Sequence, residues 1–329
     1  MTDAALKDES QRPAEPAGLE DVPGWFWDHD RHSFDWFMGR QEKAGATGDL
    51  LEMGAYLGRS AIVIGEHRQP GETFTVCDLF DSDAPDGENA AEMDISYRKS
   101  LTRSAFEANY LSFHDELPEI VQAPTSVLAG GRIAAGAFRF IHIDASHLYE
   151  HVVGDLQVAR VALQEQGVVV LDDYRSQHTP GVAAATWGAV FNHGLKPIML
   201  TECKFYGTWG DPEPFQRDLL DRVDLAAGCY LSTETLNGQQ VLRMTGTSEG
   251  IGAFRPSRHH RRLAAEVARH EAEQAAEESR QAQEEAARNL AARRARAAEL
   301  RRPANVAKRA ARDLLPPVVT SVIRRARRG

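Results

Sequence analysis

Three aspartates and a histidine follow two apolar runs of the chain, at positions where a catalytic site can form. Asp144 and His147 come after the run F-R-F-I-H-I, and Asp172-Asp173 follows G-V-V-V-L. Both runs predict buried strands, and parallel strands joined by one helical crossover usually lie side by side. Their carboxylates would then meet at one edge of the sheet, where like charges repel unless a cation joins them. Oxygen ligands of this kind suit a hard ion such as Mg²⁺.

His147 could supply the proton transfer that such a site needs. The ordinary pKa of histidine is near neutral, which suits the removal of a proton from a substrate hydroxyl. Each residue also has a structural interpretation, since Asp144 can cap the next helix and Asp172-Asp173 can form a turn. The occurrence of these residues together at two successive strand ends favours a catalytic site over these structural roles. His142 lies deeper in its strand and is interpreted as structural.

A second group of residues indicates a nucleotide-type ligand. The stretch E-M-G-A-Y-L-G-R-S (52–60) follows the first predicted strand, and Gly54 and Gly58 allow its backbone to turn tightly. We expect backbone N–H groups at the start of the next helix to face the ligand. The G-x-x-x-G spacing departs from the G-x-G-x-x-G dinucleotide fingerprint. Asp78 ends the next strand, 20 residues beyond Gly58, where a carboxylate can bind both hydroxyls of a ribose.

Positioning these residues requires strands and helices that alternate along the chain. Apolar runs predict strands at 50–54, 73–78, 119–123, 138–144, 167–173, 198–200 and 204–209, and helices are predicted at 60–67, 97–113, 147–163 and 182–193. This alternation predicts an α/β fold that is doubly wound around a mostly parallel seven-stranded sheet. Residues 228–245 predict a further hairpin that turns at Asn237-Gly238.

Composition divides the chain into a disordered leader at 1–24, a folded domain at 25–250 and a basic helical tail at 251–329. The folded domain begins with a dense aromatic cluster at 25–37. We interpret this cluster as a helix packed over the body, and the alternative is a lid or wall over a substrate pocket.

The tail is rich in Ala, Glu, Arg and Gln over 262–302, which favours a long exposed helix or a weak coiled coil. Pairs such as Glu284–Arg288 would support it, and Pro303 interrupts it. The segment after Pro303 mixes aliphatic and basic residues. Such a segment can lie on an anionic membrane surface or form a disordered basic end.

Bulk composition excludes several classes of protein. The chain has no run of about 18 apolar residues, so no membrane span is predicted. Its polar N-terminus does not resemble a signal peptide. The three cysteines are widely separated, which argues against a disulfide or zinc framework and favours the cytoplasm. Residues 251–329 hold 19 Lys and Arg against 9 Asp and Glu, although the whole chain has a net charge of −10. The acidic body therefore disfavours nucleic acid as a partner.

The span from about 48 to 210 resembles the class I S-adenosylmethionine-dependent methyltransferases. It is most similar to the macrocin and mycinamicin sugar O-methyltransferases, through I-D-x-x-H-x-Y at 143–149 and L-D-D at 171–173. The phrase L-L-E-M-G-A-Y-L-G-R-S at 50–60 also resembles the catechol O-methyltransferases. The resemblance implies a Rossmann-like methyltransferase fold with S-adenosylmethionine as the cofactor, and it does not cover the leader or the tail.

The resemblance also implies roles for individual residues. Mg²⁺ or another divalent cation would be bound by Asp144, Asp172 and Asp173, and the catalytic base would be His147 or Asp144. His147 lies where the catechol enzymes place a lysine base. The cofactor would be held by Glu52, Gly54, Tyr56, Gly58, Ser60, Asp78, Ser126 and Asp144.

The expected function is therefore a metal-dependent O-methyltransferase that acts on a hydroxyl of a sugar or glycosylated small molecule. Two alternatives remain open: a catechol-like aromatic O-methyltransferase, and a non-catalytic scaffold with a methyltransferase fold. The expected partner is a small-molecule hydroxyl acceptor. We also expect a homo-oligomer, with the tail mediating self-association or a peripheral contact at the inner face of the membrane.

Overall fold

The computed structural model describes residues 15–96, 101–221 and 228–314. The strands are β1 Asp49–Met53, β2 Phe74–Asp78, β3 Glu119–Gln122, β4 Phe138–Ile143, β5 Leu163–Leu171, β6 Lys196–Leu200, β7 Phe205–Thr208, β8 Cys229–Leu236 and β9 Gln239–Gly246. The helices are α1 Asp28–Lys43, α2 Arg59–Glu66, α3 Gly87–Ser96, α4 Arg103–Leu111, α5 Tyr149–Ala162, α6 Pro180–Asn192, α7 Glu213–Leu220, α8 Arg258–Leu300 and α9 Pro303–Asp313.

The strands form one sheet in the order β3-β2-β1-β4-β5-β7-β6-β9-β8. The first five strands of this order run parallel, so their carboxyl ends share one edge of the sheet. The prediction of seven strands is wrong, because the hairpin of β8 and β9 joins the same sheet. Strand β9 pairs with β6 through Met199–Leu242 and Leu200–Arg243, which extends the sheet to nine strands.

Helices cover both faces of the sheet, which confirms the doubly wound prediction. Successive side chains of a strand point to opposite faces. Leu50 of β1 packs in a core cluster that includes residues of α1, α2 and α4. Its neighbour Leu51 packs in a second cluster that includes residues of α5 and α6. The sheet therefore separates two cores and presents its strand ends at the rim between them.

The predicted disordered leader at 1–24 differs from the structure at residues 15–24. Leu19 and Val22 are buried in the core, and the carbonyl oxygen of Ala17 accepts a hydrogen bond of 2.8 Å from the Ser257 N–H. The two aliphatic side chains supply the apolar contact that composition alone did not reveal. The remainder of the predicted leader lies outside the described residues.

The domain boundary also differs from the predicted residue 250. The chain divides into two units at Arg261, and residues 251–261 belong to the first unit. Phe254 packs against the core of that unit, and Arg255 forms an ion pair with Glu66. These contacts explain why the folded domain continues beyond the hairpin.

The second unit contains most of the long helix predicted for the tail, since α8 begins at Arg258. No residue of α8 is buried, and Arg288 lies 3.1 Å from Glu284, as the spacing of the pair predicts. The helix ends at Leu300 and α9 begins at Pro303. Within the described part of the chain, no helix is long and apolar enough to cross a membrane. Much of the predicted basic end, from residue 315 onward, lies outside the described residues.

Candidate active site

A cavity of about 1650 Å³ opens at the carboxyl ends of the parallel strands. Residues from the loops that follow six strands, β1 to β6, line it. The predicted site residues among them are Gly54, Tyr56, Ser60, Asp78, Ser126, Asp144, His147, Asp172 and Asp173. The structure therefore brings most of the predicted cofactor and metal residues to one cavity. Glu52 and Gly58 do not belong to its lining.

Gly54 allows the ends of β1 and β4 to approach each other closely. Its φ angle is 81°, in the left-handed region that favours glycine, and a Cβ atom there would clash with the carbonyl oxygen of Asp144. The N–H of Gly54 donates to the carbonyl oxygen of Cys77, and the N–H of Asp144 donates to that of Met53, both at 2.8 Å. Gly54 therefore presents backbone without a side chain to the cavity, next to Asp144, and we call this feature the glycine cradle.

Asp78 organises the loop that follows β1. Its Oδ2 atom accepts hydrogen bonds from the N–H groups of Ala55 at 2.7 Å and Tyr56 at 3.0 Å, and its Oδ1 atom accepts one from Phe80 at 2.7 Å. Burial raises the pKa of the Asp78 carboxyl, and these three hydrogen bonds oppose the rise. Asp78 therefore binds two N–H groups of the loop that precedes α2. A carboxylate offers about four acceptor positions, so Asp78 retains capacity for a hydroxyl from the cavity.

Glu52 and Gly58 do not line the cavity and lie against other buried residues instead. Glu52 is fully buried, and its Oε1 atom lies 2.8 Å from Nδ1 of His142. Burial raises the pKa of Glu52 to about 8. Gly58 precedes α2 with a φ angle of 95°, and a Cβ atom there would press on the ring of Phe106 at 3.0 Å.

A cluster of metal-ligating side chains lies beside the cradle. His142, Asp144 and Asp172 each offer one ligand atom, and these atoms lie within 4.8 Å of one another. Burial and the nearby Asp172 carboxylate raise the pKa of Asp144 well above its ordinary value. The cluster differs from the predicted ligand set, because it contains His142, which we interpreted as structural, and does not contain Asp173.

Lys204 completes this cluster and was not predicted. It directly precedes β7 and is fully buried, and its Nζ atom lies 2.7 Å from Oδ2 of Asp172 and 3.1 Å from Nε2 of His142. Burial lowers the pKa of Lys204, but Asp172 and Asp144 outweigh it and hold that pKa above its ordinary value. In the sequence, Lys204 is visible only as the first residue of a predicted strand. Lysines at such positions are also common at exposed edges of a sheet.

The aromatic segment contributes a buried carboxylate to the same region. Asp30 of α1 accepts hydrogen bonds of 2.8 Å from the hydroxyls of Thr201 and Tyr206. Its negative charge also favours the charged form of Lys204. The ring of Phe34 lies 5.9 Å from the Lys204 ammonium, within the range of a cation–π contact. Helix α1 therefore encloses the inner side of the cluster.

Asp173 is directed towards His147. The Oδ2 atom of Asp173 lies 3.4 Å from Nε2 of His147, and its Oδ1 atom accepts a hydrogen bond from the hydroxyl of Ser176. Asp173 has a φ angle of 56°, which is uncommon for a residue with a side chain. A carboxylate in this position can orient an imidazole and stabilise its protonated form.

Two tryptophans form the outer wall of the cavity. Trp25 and Trp27 both line it, and they are 62% and 56% exposed. The ring of Trp25 lies 5.4 Å from that of Tyr56. By contrast, Phe34 and Phe37 of the same segment are fully buried. The aromatic segment therefore packs over the body and also walls the cavity.

The chemistry of the cluster fits an additional cation. The carboxylates of Asp144, Asp172 and Asp173 lie in or beside it, whereas Lys204 supplies a single positive charge. Uncompensated carboxylates at this spacing are costly when they are buried. Asp144 and Asp172 both line the cavity, so a divalent ion could reach their oxygens from it.

Residues 51–174 match the protein family described as a methyltransferase domain. The match covers 124 of the 329 residues and assigns a methyltransferase domain to this part of the chain. No curated protein matches the chain.

Solved structures with a similar fold include the O-methyltransferase NovP, which is 18% identical over 55% of this chain and 79% of that chain, with a TM-score of 0.44. CalS11, a TDP-rhamnose 3'-O-methyltransferase of calicheamicin biosynthesis, is 19% identical over 56% and 80%, with a TM-score of 0.38. TomG from Streptomyces achromogenes, an O-methyltransferase of tomaymycin synthesis, is 14% identical over 58% and 83%, with a TM-score of 0.38.

Proposed function

We propose that the chain is an O-methyltransferase that uses S-adenosylmethionine and a divalent cation to methylate a hydroxyl of a sugar or glycosylated small molecule. One observation carries this proposal: the buried acidic cluster opens into the same cavity as the glycine cradle and Asp78. A cofactor site and a site for a hydroxyl acceptor therefore adjoin each other.

The cofactor would be held by the loop after β1, with Asp78 binding its ribose and Ser126 contributing to the cavity lining. S-adenosylmethionine supplies a methyl group on a positively charged sulfur, which an oxygen nucleophile can attack. Gly54 lets the ends of β1 and β4 approach closely, which places Asp144 beside the loop that would hold the cofactor.

We assign the divalent cation to Asp144 and Asp172. The resemblance adds Asp173 as a third ligand, but its carboxylate contacts His147 in the structure. A cation at these oxygens would lower the pKa of a bound hydroxyl and fix its position. Mg²⁺ suits a site of carboxylate oxygens.

We assign the general base to His147. It lines the cavity, and Asp173 holds its ring, which is the arrangement that a histidine base requires. Asp144 is the rival candidate. A carboxylate that binds a cation has less capacity to accept a proton, which favours His147.

The wall formed by Trp25 and Trp27 supports a sugar-containing acceptor. Carbohydrates present apolar faces that can pack on aromatic rings, and both rings are accessible from the cavity. An aromatic acceptor could stack there as well, so the catechol-like alternative depends on the same observation.

A screen of acceptors with methyl-labelled S-adenosylmethionine tests the proposal. It should include nucleotide sugars, glycosides and catechols, each assayed with Mg²⁺ and with a chelator. We expect methylation of a sugar-containing acceptor that chelation abolishes and Mg²⁺ restores. Methylation of catechols alone would favour the aromatic alternative, and activity that survives chelation would refute the metal dependence. Cofactor binding without any transfer would favour the scaffold alternative.

A further inference from the structure

His142 is the one nitrogen ligand in the acidic cluster, as far as the described residues show. Both nitrogens of its buried ring have partners. Nδ1 lies 2.8 Å from Oε1 of Glu52, and Nε2 lies 3.1 Å from Nζ of Lys204.

The chemistry of these partners fixes the tautomer of His142. An ammonium group has three donors and no acceptor, so Nε2 must accept a hydrogen bond from Lys204. The ring proton is then on Nδ1, which donates to Glu52. A neutral imidazole binds a metal through its unprotonated nitrogen, and in His142 the lone pair of that nitrogen is engaged by Lys204.

Lys204 is held in this position from several sides. Asp172 accepts from its ammonium at 2.7 Å, and the rings of Phe26 and Phe34 lie 5.5 and 5.9 Å from Nζ. Its side chain is 1% exposed and does not belong to the lining of the cavity. An ion that enters through the cavity therefore meets the oxygens of Asp144 and Asp172, and Lys204 stands between Asp172 and the imidazole.

We propose that Lys204 determines which metal the site accepts. By engaging Nε2 of His142, it leaves carboxylate oxygens as the ligands and so favours a hard ion such as Mg²⁺ over Zn²⁺, Co²⁺ or Ni²⁺. Without Lys204, the site would offer one imidazole and two carboxylates, a set that transition metals bind more tightly. This inference rests on the metal site of the proposed function.

The first test uses the unaltered protein loaded with Mn²⁺ as a paramagnetic probe. Pulsed electron paramagnetic resonance detects the coupling of a directly bound imidazole nitrogen to the ion. We expect Mn²⁺ to bind without such a coupling. A coupling that persists in His147→Gln, and therefore comes from His142, would overturn the inference while leaving the metal dependence of the proposed function intact.

The second test compares Lys204→Met with the unaltered protein and with Lys196→Met, which removes a partly exposed lysine at the start of β6. Calorimetric titrations would give the affinities for Zn²⁺ and Mg²⁺. We expect Lys204→Met to raise the ratio of Zn²⁺ to Mg²⁺ affinity by about tenfold or more and to gain the nitrogen coupling. Lys196→Met should retain the original ratio.

The outcomes separate the inference from the proposed function. A folded Lys204→Met variant with an unchanged ratio and no nitrogen coupling would overturn the inference alone. If neither protein bound a divalent ion, both the inference and the metal dependence would be wrong. If the unaltered protein bound none and Lys204→Met bound Zn²⁺ through nitrogen, the blocking role of Lys204 would be supported and the metal dependence refuted. If Lys204→Met failed to fold, the Mn²⁺ spectrum of the unaltered protein would still decide.

Discussion

The ammonium nitrogen of Lys204 lies 2.7 Å from Oδ2 of Asp172, and the two side chains are only 1% and 9% exposed. The pair joins the end of β5 to the start of β7, strands that are adjacent and antiparallel in the sheet. A buried ion pair of this kind is strongly destabilised when one partner is removed, because the other charge remains without compensation. The proposed metal site and the stability of the fold therefore both depend on Asp172.

Asp172→Ala is expected to abolish metal-dependent methyl transfer, because it removes a cation ligand. The variant also removes the carboxylate that pairs with the buried Lys204 ammonium, which should lower the free energy of unfolding by about 3–5 kcal/mol. Cofactor binding should persist in the folded protein, since Asp78 and the Gly54 loop are unchanged. Calorimetry with S-adenosylhomocysteine, denaturant unfolding and the methyl-transfer assay check these three effects. Unchanged turnover would contradict the assignment of Asp172.

His147→Gln is expected to lower kcat by about 10²–10⁴-fold, because it removes the assigned base. Asp173→Asn should cause a smaller loss, since it leaves the imidazole in place but removes the carboxylate that lies 3.4 Å from it. Neither variant should weaken the binding of S-adenosylhomocysteine. The pH dependence of kcat measures the role of His147 independently. A larger loss in Asp144→Asn than in His147→Gln, with metal binding retained in both, would assign the base to Asp144.

Gly54→Ala should destabilise the fold and weaken cofactor binding, because a Cβ atom would clash with the backbone of Asp144. Gly71→Ala is the matched control: its φ angle is 89°, also left-handed, but the space around it is open. In Gly71→Ala, the free energy of unfolding should fall only by the cost of placing a residue with a side chain in a left-handed conformation, about 1–2 kcal/mol. Thermal unfolding and cofactor titration distinguish the two variants. Equal losses in both would mean that the close approach at Asp144 contributes nothing.

Asp155 on α5 predicts a pH-dependent stability. Its side chain is buried, and burial raises its pKa from 3.8 to about 6. Between these two pH values, the folded state keeps a proton that the unfolded state has lost, so the contribution of Asp155 to stability falls as the pH rises. Asp155→Asn carries no such proton. We therefore expect its stability relative to the original protein to increase from pH 4 to pH 7.

Urea unfolding of both proteins at several pH values checks this prediction. The relative gain should approach about 3 kcal/mol above pH 6, since each pKa unit corresponds to about 1.4 kcal/mol. A difference in stability that does not change with pH would show that Asp155 titrates alike in both states.

Truncation after Arg261 should leave a stable domain with full cofactor binding. Truncation after residue 250 should lower its stability, because it removes the packed side chain of Phe254 and the ion pair between Arg255 and Glu66. Melting temperatures of the two truncated proteins check this prediction. If the longer protein lost cofactor binding while remaining folded, residues 262–329 would belong to the active site.

The sequence predicted the positions of Asp78, Asp144 and Asp172 because each follows an apolar run with a clear boundary. Parallel strands bring their carboxyl ends to one edge, so strand order along the chain was sufficient to place these carboxylates. The turn at Gly54 was predicted from the glycine itself, whereas its close approach to the backbone of Asp144 was not. The pattern of apolar runs along the chain therefore accounts for the residues of the site that face the cavity.

The inner side of the site depends on contacts that local pattern does not encode. Lys204 meets His142 across 62 residues of sequence, and Asp30 meets Tyr206 across 176. Periodicity shows that a strand is buried but not which side chain of another element it meets. The orientation of Asp173 towards His147 likewise depends on a left-handed backbone conformation that a sequence of two aspartates does not specify.

The most direct test of the metal-dependent mechanism is a calorimetric titration of Mg²⁺ into the protein saturated with S-adenosylhomocysteine, repeated with Asp172→Asn. The proposal predicts that one Mg²⁺ binds to the unaltered protein and that its binding is lost in the variant, whereas both proteins bind S-adenosylhomocysteine. Failure of the unaltered, cofactor-saturated protein to bind Mg²⁺, or equal binding by the variant, would contradict the assignment of the metal site.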